Sequence, residues 1–177
     1  MRNATDLLAS YAEYHRDRRN IATHFVGVPL IVFAVSVLLA RPSFAVAGLT
    51  LSPAWIVCAL AALWWVTRGN LVLGLLLSAI TALFTVIAHE LAAGSTATWL
   101  AWGVGGFVVG WVIQFIGHYY EGRKPAFVDD LTGLLVGPMF VLAEALFALG
   151  WGAALKQEIE RRAGPTHLRD LHSHPAR

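Results

Sequence analysis

The sequence predicts an all-α polytopic membrane protein: a helix bundle of four to five transmembrane segments, preceded by an N-terminal amphipathic interfacial helix. Three observations carry this. Of 177 residues, 57% are hydrophobic and 14% charged, with a mean hydropathy of +0.62, well above the apolar share of soluble domains. The apolar residues fall into runs of membrane-spanning length. The charged residues collect between those runs.

Residues 4–19 read as the interfacial helix. Leu7, Leu8, Tyr11, Tyr14 and His15 recur at helical spacing, and Asp6, Glu13, Arg16 and Arg19 fill other positions. The first apolar run, about Phe25 to Ala40, is closed by Arg41-Pro42. It is short for a hydrocarbon core of about 30 Å, so its polar flank enters the interface. The second run covers about Pro53 to Val66, with Phe44 to Leu51 as an extension, and Thr67 to Asn70 is a tight polar turn. The third spans Leu71 to Leu91, and Ala92 to Thr98 is a small-residue loop. The fourth runs from Trp99 to about Tyr120, where Gly122 and Pro125 stop it. Leu131 to Trp151 is apolar again but interrupted by Gly137-Pro138. Residues 1–155 thus read as one membrane-embedded helical domain. Residues 156–177 read as a charged helix followed by a disordered polar segment, THLRDLHSHPAR.

Several classes fall away. No cleavable signal opens the chain, because Met1 to Asn20 has no apolar core. The single cysteine, Cys58, excludes an intrachain disulfide. Basic residues flank apolar runs rather than lining a soluble face, so no nucleic-acid partner is expected. Gly103, Gly105, Gly106 and Gly110 suit close helix approach, since GVGG lacks the strand context of a nucleotide loop. The seven tryptophans suit interface belts and lipid-facing packing. No repeat of fixed period occurs.

Charge sets the orientation. Call the face that holds the N-terminus side A. Four crossings place Arg68, Arg123 and Lys124 there with Arg2, Arg16, Arg18 and Arg19, whereas side B receives Arg41. The positive-inside rule makes side A cytoplasmic: an inner membrane in a bacterium, the endoplasmic reticulum in a eukaryote. A full crossing by Leu131 to Trp151 puts Lys156, Arg161 and Arg162 on the wrong side. A bend or re-entrant segment at Gly137-Pro138 is therefore favoured, with a fifth crossing as the alternative.

The same parity brings His15, His24 and His118 to side A, with Glu121 three residues and Gln114 one turn from His118 on one helix face. On a straight helix, His15 and His24 stand about 13 Å apart on opposite faces and cannot share an ion. Asn20, a strong N-cap, supplies the break: it ends the surface helix, starts the membrane helix and lets His15 fold back over His24. A lone interfacial histidine is usually a snorkelling or hydrogen-bonded side chain; three on one face suggest a metal site. His89 falls on side B by this count, and is either structural or an additional ligand if the count is wrong. Glu144, inside an apolar run, can pair with a histidine or arginine. His167, His172 and His174 read as solvated.

YHRDRRNIATHFVGVP, with QFIGHYYEGRKPAF about ninety residues later, resembles the 2-hydroxy fatty acid dioxygenase family of small membrane proteins, from about Tyr11 to Glu144. The paired motifs are H-x4-N-x3-H-x2-G-x-P and G-H-x2-E-G-x-K-P-A. The resemblance implies an iron(II)-dependent dioxygenase that converts a 2-hydroxy fatty acid and O2 into the acid one carbon shorter, with loss of CO2. It puts His15, His24 and His118 forward as iron ligands, and Asn20, Gly27, Pro29, Glu121, Lys124 and Pro125 as supporting positions. Glu121 then orients a histidine rather than binding the iron. The acyl chain extends into the bilayer, and Arg18, Arg19, Arg123 or Lys124 receives the carboxylate. The competing readings are a lipid- or partner-binding membrane protein with structural histidines, and another histidine-metal lipid hydroxylase. Oligomeric state is left open.

Overall fold

The computed structural model describes residues 2–171. A short helix α1 (Ala4–Ala12) and a turn lead into α2 (Arg18–Ala40). A two-stranded hairpin, β1 (Phe44–Val46) and β2 (Leu49–Leu51), precedes α3 (Pro53–Val66) and α4 (Leu71–Ala93). Next come α5 (Thr96–Leu100), a π turn (Ala101–Gly105) and α6 (Gly106–Glu121). The chain closes with α7 (Gly133–Ala148) and α8 (Ala153–Ala163).

Among the described residues, three helical stretches are long and apolar enough to cross a membrane: α2, α4 and the run from Thr96 to Glu121. A fourth appears only if α7 and α8 count as one bent span. At 14 residues α3 rises about 21 Å, yet it still returns the chain to side A, where the Arg68 carbonyl accepts from the Ala4 N–H at 2.8 Å. Leu60, Leu63, Leu75, Leu83 and Val108 remain at least half exposed, as lipid-facing residues do.

Four expectations are corrected here. Helix α1 stops at Ala12 rather than reaching residue 19, and α2 begins at Arg18. The residue that caps α2 is Asp17, whose side chain accepts from the Arg19 N–H at 2.8 Å; Asn20 lies inside the helix. Residues 44–51 form a hairpin instead of extending α3, because Ala47 and Gly48 take positive φ (49° and 81°), the requirement of a tight two-residue turn. Gly137-Pro138 does not bend α7. The break lies between Ala148 and Ala153, where Gly150 and Gly152 take positive φ and the chain turns by 120°.

That break keeps the C-terminal helix on side A. Asp130 pairs with Arg2 before α7, and Arg162 of α8 pairs with Asp6 of α1 at 2.8 Å. Both ends of the α7–α8 hairpin are thus tied to the N-terminal segment. The largest core cluster also sits at side A, where Leu7, Leu8, Leu73, Met139, Phe140 and Ile159 pack together. A smaller one, Val37, Ala40, Ala54, Ala88 and Ala92, closes the opposite end.

Candidate metal centre

Helices α2 and α6 cross closely because two glycines face each other. A Cβ on Gly27 would stand 3.0 Å from the Gly110 carbonyl oxygen, and one on Gly110 would stand 3.1 Å from that of Gly27. Two turns nearer side A, Gly117 lies against Asn20 and Thr23 with no room for a methyl group. This approach presses His118 against His24.

His15, His24 and His118 are 0, 1 and 6% exposed. The Nδ1–H of His15 donates to the Tyr11 carbonyl at 2.8 Å, and its ring stacks on that of Tyr11 with centroids 4.1 Å apart. The Nδ1–H of His24 donates to the Asn20 carbonyl, also at 2.8 Å. A carbonyl only accepts, so each ring carries its proton on Nδ1 and presents a lone pair at Nε2. Those two Nε2 atoms face each other at 3.0 Å. The His118 ring stands 5.0 and 5.2 Å from the other two, centroid to centroid, and its buried Nδ1 has no hydrogen-bond partner among the described residues.

Two buried lone pairs at that distance repel unless something positive lies between them. Burial holds the His15 imidazole well below its ordinary range, and the neighbouring His24 adds to the effect, so a proton is a poor occupant. A divalent cation fits. Two nitrogens about 2.1 Å from one ion and at right angles to each other are about 3.0 Å apart. Among the described residues, these three form the one group of histidine, cysteine or carboxylate side chains able to hold a metal, with ligand atoms all within 4.8 Å of one another.

Glu121 sits behind the cluster and touches no histidine nitrogen. Its carboxylate accepts from the N–H of Arg16 (3.0 Å) and of Asp17 (2.9 Å), and from Asn20 Nδ2 (3.0 Å). The end of α6 therefore clamps the turn that carries His15. Asn20 Nδ2 donates as well to the Tyr14 carbonyl at 3.2 Å. Asn20 serves the site as a buried strut between α2 and α6, in place of the cap expected for it.

Other anticipated residues are arranged differently. His89 stays out of the cluster: it lies about 27 Å up α4 from Leu71, its Nδ1–H donates to the Thr85 carbonyl at 2.7 Å, and its Nε2 accepts from Ser52 Oγ at 2.9 Å. Arg19 pairs with Asp17 at 2.8 Å, Arg123 donates to the Glu13 carbonyl at 2.8 Å, Lys124 pairs with Asp129, and exposed Arg18 reaches toward Thr166. None of these four cations lines the cavity at the histidines. Glu144 meets a buried arginine, Arg16, at 3.9 Å. Gln114 is 4% exposed and its amide nitrogen has no hydrogen-bond partner among the described residues. It shares with His24, His118, Tyr11, Trp111 and Phe127 the wall of a cavity of about 60 Å³.

Three residues of the site escape the sequence reading. Tyr11 supports His15 by stacking and through its carbonyl, and the i, i+4 spacing of the two was the available signal. Asp17 binds Arg19 and accepts from the Arg169 N–H at 2.8 Å. Arg169 in turn donates to the carbonyls of Tyr119 and Tyr120. The stretch around His167, expected to be disordered, thus runs along the site as a short parallel bridge to Asp17. The His167 side chain is exposed, whereas His172 and His174 lie outside the described residues.

The family model for 2-hydroxy-palmitic acid dioxygenase Mpo1-like proteins matches residues 1–149. The chain is 31% identical over 156 residues to the 2-hydroxy-palmitic acid dioxygenase MPO1 of Saccharomyces cerevisiae, a stretch that covers 86% of this chain and 85% of the yeast protein. No solved structure matches. With a match over most of its length that takes in all three clustered histidines, the chain belongs to the Mpo1-like family.

Proposed function

We propose that this chain is an iron(II)-dependent dioxygenase of the membrane. It converts a 2-hydroxy fatty acid and one O2 into the fatty acid one carbon shorter, CO2 and water. The carrying observation is the pair of buried Nε2 lone pairs of His15 and His24 at 3.0 Å, with His118 beside them. The name of the yeast relative supports the substrate class. Imidazole suits iron(II), and three protein ligands leave positions open; iron held there would supply a centre able to bind both substrate oxygens and O2.

The chain's own residues prepare that centre. The Tyr11 and Asn20 carbonyls fix the tautomers, and Glu121 holds the His15 turn against α6. Gln114, with a buried free donor on the cavity wall, receives a carboxylate or hydroxyl oxygen of the substrate. The Tyr11 hydroxyl rests against Gly137 on the same wall, and burial raises its pKa, so it stays a neutral O–H donor. Arg18, Arg19, Arg123 and Lys124 act earlier. They form a basic rim that gathers fatty-acid carboxylates at a cytoplasmic side A.

The test uses protein in lipid nanodiscs, loaded anaerobically with iron(II) and then given 2-hydroxyhexadecanoate and O2. Pentadecanoate and CO2 are expected in equal amounts, and both should vanish in His24→Ala and His118→Ala. Absence of chain shortening by the iron-loaded protein would overturn the proposal.

A further inference from the structure

We infer that the acyl chain of the substrate lies inside the protein, in an apolar channel that runs from the three histidines into the middle of the bundle and limits chain length. The inference rests on the dioxygenase reading for the head group alone.

Two cavities carry it. The small one against His24 and His118 shares Ile31, Val32, Trp111, Leu134 and Pro138 with a second cavity of about 410 Å³ between α2, α3, α6 and α7. That volume is typical of small-molecule sites, roughly 300–1,000 Å³. A single face of α2 walls both cavities: His24, Val28, Val32, Val35 and Leu39 follow at steps of four, four, three and four. The ligand ring and the hydrocarbon wall therefore point the same way.

The gap exists because α3 is held to the bundle at its ends. Near side A, Trp65 Nε1 donates to the Leu135 carbonyl at 2.8 Å; at the far end Ala54 packs with Val37 and Ala40. Between these points α3 offers the small side chains Cys58 and Ala61 to the cavity. Ser36, a polar residue on the wall, donates internally to the Val32 carbonyl at 2.9 Å. Thr81 of α4 is the other hydroxyl residue on a wall otherwise made of apolar and aromatic side chains, so the occupant meets mostly hydrocarbon, and apolar cavities of this kind do not hold water.

The dimensions suit a long acyl chain. His24 to Leu39 is fifteen residues, or about 22 Å of helix rise. An extended chain advances about 1.2 Å per bond, a third of the extended-peptide repeat, so the channel accepts roughly 18 bonds. Occupancy by the substrate chain, rather than by bilayer lipid, follows from continuity with the histidine centre at one end.

Cys58, the single cysteine of the chain, lies on this wall one turn from Ala54, about 15 Å from His24 along the helices. Its alkylation by N-ethylmaleimide reports occupancy without turnover. With the full chain in nanodiscs, saturating 2-hydroxyhexadecanoate is expected to slow alkylation at least tenfold. The chain of 2-hydroxyoctanoate ends short of Cys58, so that acid should leave the rate unchanged. Equal protection by both acids, or by neither, overturns the channel. A second measurement is the ratio of kcat/KM for the sixteen- and eight-carbon acids, which Cys58→Phe should lower at least tenfold; an unchanged ratio overturns the channel too. Alkylation needs neither iron nor O2. Protection without chain shortening would thus defeat the dioxygenase reading alone, and chain shortening with Cys58 unprotected would defeat the channel alone.

Discussion

His89 and the His15–His24–His118 cluster sit at opposite ends of the same bundle, and the contrast between them shows what separates a structural histidine from a candidate ligand. All four lie on apolar or membrane-edge segments, and His15, His24 and His89 each spend Nδ1 on a main-chain carbonyl at 2.7–2.8 Å. The second nitrogen makes the difference. At His89 it meets the Ser52 hydroxyl, a group that can donate, and the ring rests on Trp55. At His15 and His24 it meets another lone pair. A neutral ring completes the first arrangement. The second is an arrangement that a cation could complete.

The largest effect that tests this contrast is on metal binding. His24→Ala should lower the affinity of the purified protein for iron(II) by more than about a hundredfold, beyond the usual cost of losing a supporting residue, whereas His89→Gln should leave the stoichiometry at the wild-type value. Isothermal titration under anaerobic conditions reads both. Equal losses would dissolve the distinction. A smaller effect is expected from Glu121→Gln, which touches no ligand atom. The Arg16 N–H donates to Oε1, and the Asp17 N–H and Asn20 Nδ2 share Oε2, so whichever way the amide turns, its NH2 group meets donors at one of the two positions. The turn bearing His15 loosens, and affinity should fall roughly 10–100-fold with the same three nitrogens still ligating, as the ligand-field spectrum of the cobalt(II)-substituted protein would register.

The long-range part of the site was the hardest to read in the sequence. The apolar runs were legible because burial in lipid imposes an unmistakable composition: α3 occupies Pro53–Val66 and α4 starts at Leu71, as the runs indicate. Parity along those runs sufficed to bring three histidines together and to separate them from His89. Local choices between near-equal residues were not legible. Asp17 and Asn20 are both good N-caps, and the choice is made by Glu121, about a hundred residues away, which takes the Asn20 amide and the Asp17 N–H. Gly137-Pro138 has the composition of a bend, yet the helix runs on through it, and Gly137 instead leaves room where the Tyr11 hydroxyl docks. Nor does anything in THLRDL announce that Arg169 binds carbonyls at the end of α6, because those acceptors belong to another element.

Asp17 offers the mildest test, because its carboxylate touches no histidine and acts through the Arg19 guanidinium and the N–H groups of Arg19 and Arg169. Burial by itself would raise its carboxyl, but the Arg19 guanidinium and the N–H groups of Arg169 and Arg19 outweigh that and hold it down at about 2. The sign follows from linkage: the unfolded chain, with an ordinary aspartate near 3.8, binds the proton more readily than the folded one. The stabilisation is therefore full above about pH 4 and is lost as pH falls toward 2. Asp17→Asn should cost about 2 kcal/mol at neutral pH, the usual worth of a charge-assisted hydrogen-bond set, and the gap between variant and wild type should close over that acid window. His15 works at a higher pH. Its lowered pKa makes both proteins less stable as pH drops below 6.5, so its contribution cancels in the difference. Denaturation midpoints in detergent at pH 7, 4 and 3 separate the two. The gap at pH 3 should be roughly half that at pH 7; a gap as wide at pH 3 as at pH 7, or one that opened only below 6.5, would mean that the tail and the α2 cap do not act through the Asp17 carboxylate.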